Sequence, residues 1–125
     1  MAYVETDFLL ALITPDDRLG PAAEAVYEER DDLWTSTETL VELMLVAYRE
    51  DWDVLTVVTS AKQLVTVRGD VESIIAAASY VDDEGLTPLD ALHLVRADGE
   101  PIVSSDAVYD DHADRIALED RPEAA

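Results

Sequence analysis

The stretch YVETDFLLAL, residues 3–12, passes from one hydrophobic pattern to another within a few positions. Residues Ala2 to Glu5 predict a short buried strand, and the apolar residues that follow predict a helix through Ile13. Two carboxylates, Glu5 and Asp7, lie at this junction. With the two-residue period of a strand they share one face if the strand continues that far. A strand that passes directly into a helix is typical of an α/β fold.

The same alternation of short apolar strands with helices continues along the chain. Turn and cap signals, such as Pro21, Asp53, Gly69-Asp70 and Thr87-Pro88, separate the elements. The pattern predicts a three-layer α/β/α sandwich with a mainly parallel central sheet, forming a single domain over residues 1–125 with a frayed tail at 119–125. The further predicted strands are Leu33–Thr35, Leu64–Val67, Pro101–Ser104 and Arg115–Leu118, and the further helices are Pro21–Arg30, Thr37–Tyr48, Val54–Gln63, Asp70–Val81 and Thr87–Asp98.

Composition narrows the class of protein. Hydrophobic residues make up 49% of the 125, which allows one substantial core. No apolar run approaches the roughly 18 residues of a membrane span, and no signal peptide is visible. Cysteine is absent, which excludes disulfides and thiolate metal sites and fits a reducing cytoplasm. We therefore expect a cytoplasmic protein without a membrane segment.

The charge balance is strongly acidic. The chain has 29 Asp and Glu against 8 Lys and Arg, a formal net charge of −21, and Lys62 is its only lysine. Such repulsion strains a compact state at low salt, whereas molar salt screens it within about 3 Å. We interpret the composition as salt adaptation in a halophilic cytoplasm; the alternative is an acidic protein that binds cations or a basic partner. The pairs Asp16-Asp17, Asp31-Asp32 and Asp82-Asp83 are interpreted as solvated surface.

Ligands of open parallel sheets bind beyond the carboxyl ends of the strands. That rule selects Glu5 and Asp7 after the first strand and Asp106 after Ile102–Ser105. Asp7 and Asp106 also have a structural interpretation as helix caps. Further hydroxyl-bearing residues follow the strands at Thr35, Ser36, Ser104 and Ser105.

Two more carboxylates lie on helices. Glu42 follows Val41 in mid-helix, beyond the reach of a cap, and we expect it to point inward as a functional acid; the alternative is a surface position near Arg49 or Glu38. Asp90 lies among apolar neighbours, although Thr87-x-x-Asp90 also matches a capping box. Thr35-x-x-Glu38 matches the same box, so Glu38 is interpreted as structural, and His93 is interpreted as a packing residue.

Acids on several elements can converge on one pocket. Such a cluster raises its own pKa values by like-charge repulsion unless a cation neutralises it. Oxygen-only ligation favours Mg²⁺ or Mn²⁺, and the natural chemistry is metal-assisted attack of water on a phosphodiester.

Four segments together resemble the PIN domain family, the metal-dependent ribonuclease fold of VapC-type toxins, here of a haloarchaeal type. They are VETDFLLAL, TSTETLVEL, TPLDALHLVRA and IVSSDAVYD, in the order and spacing of the family. The resemblance covers about residues 2–118. It implies a hydrolase that binds Mg²⁺ or Mn²⁺ through Glu5 or Asp7, Glu42, Asp90 and Asp106, with Thr6, Ser36 and Ser105 orienting the carboxylates.

The sequence departs from the family at two positions. Glu5 stands where the family has its first catalytic Asp, so either Glu5 binds the metal with its longer side chain or Asp7 replaces it. Val108 stands where the family often has a further acid, and Asp110 is the candidate to compensate.

The resemblance also implies partners. These are an RNA substrate, a second copy of the chain in a homodimer, and an antitoxin whose tail enters the acidic groove. With so few cations, RNA specificity would depend on shape, the metal and stacking on an aromatic residue. The candidates for stacking are Tyr27, Tyr48, Trp34 and Trp52.

Two other functions compete with the nuclease. One is a catalytically weak PIN-like module that binds RNA or a protein partner, which Glu5 and Val108 favour. The other is a receiver-like phosphoacceptor domain, which needs a lysine after its last strand. Lys62 lies in mid-chain before a weak strand, which argues against the phosphoacceptor.

Overall fold

The computed structural model describes residues 1–118, so the predicted frayed tail at 119–125 lies outside the described residues. Helices and short strands alternate as the sequence predicts, which confirms the α/β class. The helices are α1 (Thr6–Ile13), α2 (Gly20–Glu29), α3 (Thr37–Arg49), α4 (Val54–Leu64), α5 (Val71–Glu84) and α6 (Pro88–Ala97), and the strands are β1 (Ala2–Tyr3), β2 (Leu33–Ser36), β3 (Thr66–Arg68), β4 (Ile102–Ser104) and β5 (Arg115–Ala117).

All strand pairs in the described chain are parallel, as predicted. Their hydrogen bonds divide them into a three-stranded sheet in the order β1-β2-β3 and a two-stranded sheet of β4 and β5. In the first sheet Tyr3 pairs with Trp34, and Trp34 pairs with Thr66. The carboxyl ends of β1 and β2 therefore lie side by side, and helices α1 and α3 begin close behind them, at Thr6 and Thr37.

Helix α3 contributes the most deeply buried part of the core. Leu40, Leu43 and Met44 are fully buried on one face of α3, which packs against α1, α4, α5 and α6. Burying a side chain of this size stabilises the fold by roughly 1.5–3 kcal/mol. Leu33 of β2 belongs to the same core, as do Val4, which follows β1, and Val65, which precedes β3.

Local sequence signals set the ends of several helices. Asp53 accepts a hydrogen bond from the backbone N–H of Thr56, and Asp70 accepts one from that of Ser73, as N-cap residues do. Gly85 ends α5 with a φ of 70°, a left-handed conformation that glycine adopts without strain. The caps predicted at Asp53 and Asp70 are confirmed, whereas α5 extends to Glu84, three residues beyond its predicted end at Val81.

The two faces of the three-stranded sheet differ in exposure. Leu33 and Thr35 are buried on one face, whereas Trp34 and Ser36 are half-buried on the other. Tyr3, which pairs with Trp34, and Arg68, which pairs with Ser36, are exposed. The second face of this sheet therefore presents large side chains to solvent. In the described part of the chain, no helix is long and apolar enough to cross a membrane.

Candidate functional site

The first-strand acids lie on the short connection between β1 and α1. Glu5 is exposed, occupies the N-cap position of α1 in an extended conformation, and its side chain makes no capping hydrogen bond within residues 1–118. Asp7 is exposed in the first turn of the same helix, so the interpretation of Asp7 as the cap is wrong. A negative charge in this turn interacts favourably with the helix dipole. Both carboxylates therefore remain available for a ligand.

Glu42 is exposed on α3, which corrects the expectation that it points inward. Its carboxylate nevertheless accepts a hydrogen bond from the Thr6 hydroxyl, with an Oγ1–Oε2 distance of 3.1 Å. Thr6 is the first residue of α1 and lies between Glu5 and Asp7. This contact places Glu42 beside the first-strand acids and confirms that the Thr6 hydroxyl orients a carboxylate.

The capping box predicted for Thr35 and Glu38 is wrong. Thr35 is fully buried in β2, and its hydroxyl donates to the carbonyl oxygen of Val4 at 2.8 Å. Ser36 is the N-cap residue of α3. A hydrogen bond with the Ser36 side chain lowers the pKa of Glu38, so Glu38 interacts with the residue at the cap and keeps a structural role.

Asp90 lies in the first turn of α6 and forms half of the predicted capping box. Its backbone N–H donates to the Thr87 hydroxyl at 3.4 Å. Its carboxylate accepts a hydrogen bond from the Tyr109 hydroxyl, with an oxygen–oxygen distance of 3.3 Å. The side chain of Asp90 is half-buried and directed at a group 19 residues further along the chain.

Asp106 precedes a 3₁₀ segment, Ala107–Asp111, and caps it. Its carboxylate accepts a hydrogen bond from the backbone N–H of Val108 at 3.0 Å, while its own N–H donates to the Ser104 hydroxyl at 2.9 Å. The interpretation of Asp106 as a cap is thus confirmed. The side chain is still exposed, so capping leaves carboxylate oxygen accessible to solvent.

Tyr109 brings Asp90 and Asp106 into one neighbourhood. Its side chain is almost fully buried, with a relative exposure of 4%. Burial raises the pKa of the Tyr109 hydroxyl, and the negative charges of Asp90 and Asp106 raise it further. Both carboxylates therefore act electrostatically on the same phenol. Sequence reasoning missed Tyr109, because the pattern VYDD contains no signal that the ring turns inward.

Asp110, the candidate to compensate for Val108, is held by another group. Arg115 donates to both of its carboxylate oxygens, at 2.7 and 3.3 Å. Arg115 also donates to the carbonyl oxygen of Ser104 at 2.9 Å, and so connects β5 to the end of β4. This arrangement gives Asp110 a structural partner. His93 is exposed, so its interpretation as a packing residue is wrong.

The predicted acids are of the chemical type that binds a hard dication, but in the described chain their carboxylates do not lie close enough together to bind one. Carboxylates that lie exposed or half-buried on adjoining elements are the oxygen ligands that Mg²⁺ prefers. Within residues 1–118, however, no three Asp, Glu or His side chains lie close enough together to hold a metal ion. A cavity of about 720 Å³ near Tyr80 and His112 has none of the five predicted acids in its walls. The predicted ligand set therefore stays a prediction.

The fold and the arrangement of acids define a class of protein. The parallel strands carry acids beyond the carboxyl ends of β1 and β4, where open α/β sheets bind ligands, and two further acids lie on α3 and α6, which pack against each other. The sequence profile of the PIN domain matches residues 2–115, and the chain belongs to the PIN domain family. PIN domains are generally nucleases and typically use divalent metals. Searches of curated proteins and of solved structures found no match.

Proposed function

We propose that this protein is a PIN-type endoribonuclease that hydrolyses RNA phosphodiesters with Mg²⁺ or Mn²⁺. The observation that carries the proposal is the hydrogen bond from the Tyr109 hydroxyl to Asp90, which joins α6 to the 3₁₀ segment that Asp106 caps, although 16 residues separate the two acids. Their like charges repel, and a dication would relieve that repulsion. The contact between Thr6 and Glu42, which joins α1 to α3, supports the proposal independently.

Each acid has a proposed role. Glu42, Asp90 and Asp106 would hold the cation, together with either Glu5 or Asp7. When bound, the metal supplies a water of lowered pKa and neutralises charge on the phosphate. Thr6 holds the Glu42 carboxylate, and Tyr109 holds that of Asp90, so both limit the directions in which ligand oxygens point.

We further propose that the protein is the toxin of a type II toxin–antitoxin pair and forms a homodimer. Leu45 and Tyr48 are exposed by 41% and 45% on α3, three residues apart, and Trp52 is exposed by 37% beyond the end of that helix. Exposed apolar residues of this kind fit a protein partner. The net charge of −21 suits an antitoxin segment that is basic.

Metal removal tests the nuclease directly. In molar KCl we expect the protein to cleave mixed single-stranded RNA when Mn²⁺ or Mg²⁺ is present, and to lose all cleavage when EDTA is added. Adding the metal back restores cleavage, because the ligands are oxygen atoms that survive chelation unchanged. The measurement is the rate of product formation on a denaturing gel. Cleavage at an equal rate in EDTA would show that a metal is not required.

A second candidate function has specific support. Glu5 in place of Asp, Val108 in place of an acid, and the absence of a gathered metal group within residues 1–118 all favour a catalytically weak PIN-like module. Such a module would bind RNA or a protein partner. This alternative predicts that RNA binds equally well in EDTA and with added metal, and that RNA is not cleaved in either condition.

Replacing Tyr109 by phenylalanine tests the positioning of Asp90. The substitution keeps the buried ring and removes only the hydroxyl that donates to Asp90. Loss of a partner of this kind weakens metal affinity or activity by about 10–100-fold. We expect Tyr109→Phe to lose metal affinity or activity by this factor when cleavage is measured over a Mn²⁺ titration. We also expect its free energy of unfolding to fall by about 1 kcal/mol.

The matched control is Tyr27→Phe, which removes the hydroxyl of a partly exposed tyrosine on α2. Tyr27→Phe should require the same Mn²⁺ concentration as the wild type. If Tyr109→Phe behaves like Tyr27→Phe in the titration, Tyr109 does not position Asp90.

A further inference from the structure

The exposed face of the three-stranded sheet contains a stack of aromatic and guanidinium groups. The rings of Tyr3 and Trp34 meet edge to face, with their centroids 4.9 Å apart at 79°. The guanidinium carbon of Arg68 lies 4.1 Å from the centroid of the Trp34 ring, a cation–π contact. Tyr3 is 48% exposed and Arg68 is also exposed. We call these three side chains the Tyr3–Trp34–Arg68 stack.

Unlike most of the other described arginines, Arg68 forms no ion pair with a described carboxylate. Arginines 30, 49, 96 and 115 each pair with a carboxylate. Among residues 1–118, the hydrogen-bond partner of the Arg68 side chain is the sulfur of Met1, at 3.5 Å, and no carboxylate pairs with it. In a chain of net charge −21, a cation left unpaired beside two aromatic rings is available to an anion.

The stack adjoins the candidate site. The Tyr3 hydroxyl is hydrogen-bonded to Ser36 at 2.8 Å and to Thr39 at 3.3 Å, at the start of α3. Thr39 lies one helical turn before Glu42, which accepts from Thr6. In the connection after β1, Glu5 follows Tyr3 by two residues and has an extended backbone. The stack therefore touches α3 one helical turn before Glu42 and lies two residues before Glu5.

We propose that the Tyr3–Trp34–Arg68 stack is a platform for a base of single-stranded RNA. The base stacks on the exposed ring of Tyr3 or on the guanidinium of Arg68, whose N–H groups also reach the neighbouring phosphate. Unpaired bases stack on aromatic side chains and on arginine planes in this way. The inference rests on the proposed ribonuclease function and adds the subsite that holds the substrate beside the acids.

Charge and salt favour RNA over a basic peptide as the occupant. The free cation of Arg68 attracts phosphate and repels a basic segment. Counterion release contributes little to RNA affinity in molar salt, since each phosphate contact weakens as salt rises. Stacking involves apolar surface and the ring electrons, so it persists under those conditions. A protein with few free cations therefore needs a stacking platform for RNA.

Anisotropy of a short fluorescein-labelled oligoadenylate, measured in molar KCl with EDTA, tests the platform without cleavage. We expect Trp34→Ala and Arg68→Lys each to weaken binding by about 5- to 150-fold, the range for losing one stacked base. Arg68→Lys keeps the charge and loses the plane, and its exposed position keeps the fold intact. In the cleavage assay the same variants should raise KM and leave kcat unchanged.

Tyr80→Ala is the matched control, because Tyr80 is exposed by 38% outside the stack. It should bind the oligoadenylate as the wild type does. If Arg68→Lys and Trp34→Ala bind like Tyr80→Ala while the wild type cleaves RNA, the platform is refuted and the ribonuclease stands. If the wild type neither binds nor cleaves RNA, both are refuted. Wild-type binding without cleavage, lost in the stack variants, supports the platform in a non-catalytic module.

Discussion

Replacing Asp90 by asparagine is expected to remove metal-dependent RNA cleavage while the fold stays intact. The amide has the shape of the carboxylate but not its charge, so it is a poor ligand for Mg²⁺. Changing a residue that merely supports a ligand costs about 10–100-fold, so loss of the ligand itself should cost at least about 100-fold in kcat/KM. The measurement is the initial rate of RNA cleavage in molar KCl with saturating Mn²⁺.

The contacts of Asp90 explain why the fold should survive. The N-cap contact with Thr87 uses the backbone N–H of Asp90, which asparagine keeps. The Tyr109 hydroxyl can donate to the amide oxygen as it does to the carboxylate. The circular dichroism spectrum and the melting temperature of Asp90→Asn should therefore stay close to those of the wild type.

Asp98→Asn provides the control on the same helix. Asp98 is the exposed C-cap residue of α6 with a φ of 49°, a conformation that asparagine tolerates well. The substitution removes one negative charge, as Asp90→Asn does, but at the opposite end of α6. Wild-type cleavage by Asp98→Asn and none by Asp90→Asn would assign the effect to the site. Equal cleavage by both variants would remove Asp90 from the proposed ligands.

Signals that act over one helical turn made most of the fold predictable. Asp53 and Asp70 cap the helices that begin immediately after them, and each bond spans only three residues. The run TSTETLVEL predicted a helix from Thr37, and α3 begins there. Such contacts form within one segment, so neighbouring residues carry enough information to predict them.

Contacts between distant segments were not predictable in the same way. Thr35 has the spacing of a capping box, but pairing of β1 with β2 places its hydroxyl against the carbonyl oxygen of Val4. The bond from Tyr109 to Asp90 spans 19 residues and depends on how the 3₁₀ segment packs against α6. A single sequence contains no periodicity that encodes either contact. The likeness to the PIN domain placed the acids but could not have placed Tyr109.

The acidic turns show the same limit. One member of each predicted surface pair has a structural partner: Asp17 accepts from the N–H of Leu19, Asp32 pairs with Arg30, and Asp82 accepts from the N–H groups of Val54 and Leu55. Arg30 lowers the pKa of Asp32 through hydrogen bonding and charge, and the N-terminal ammonium adds to that effect. Asp82 is exposed and Asp17 and Asp32 are partly exposed, so these three residues have a structural role in addition to the surface position that the sequence predicted. The other members, Asp16, Asp31 and Asp83, are exposed.

Low salt is expected to unfold this protein, because the net charge of −21 is then poorly screened. Two like charges about 20 Å apart in water repel by roughly 0.2 kcal/mol, and summed over such a charge the unscreened repulsion is on the order of 40 kcal/mol. Unfolding increases the radius of gyration from about 14 to about 36 Å and relieves more than half of that repulsion. The repulsion that unfolding relieves is therefore larger than the free energy of unfolding of a typical domain, which is about 5–15 kcal/mol.

Circular dichroism across a KCl series measures the effect. At 10 mM salt the Debye length is about 30 Å, so we expect an unfolded chain, and at 1 M it is about 3 Å, so we expect a cooperative melt from a folded state. The melting temperature should rise most steeply at low salt and level off as screening saturates. A rise that continues evenly into multimolar salt would indicate salting-out of apolar surface instead.

Neutralising exposed acids separates net charge from local structure. The triple variant Asp31→Asn, Asp83→Asn, Glu28→Gln removes three charges from exposed positions and should lower the unscreened repulsion by about a quarter. It should fold at a lower KCl concentration than the wild type. Asp82→Asn removes one charge but weakens the acceptor for the N–H groups that begin α4, so it should melt earlier at every salt concentration. If the triple variant needs as much salt as the wild type, self-repulsion is not what makes folding depend on salt.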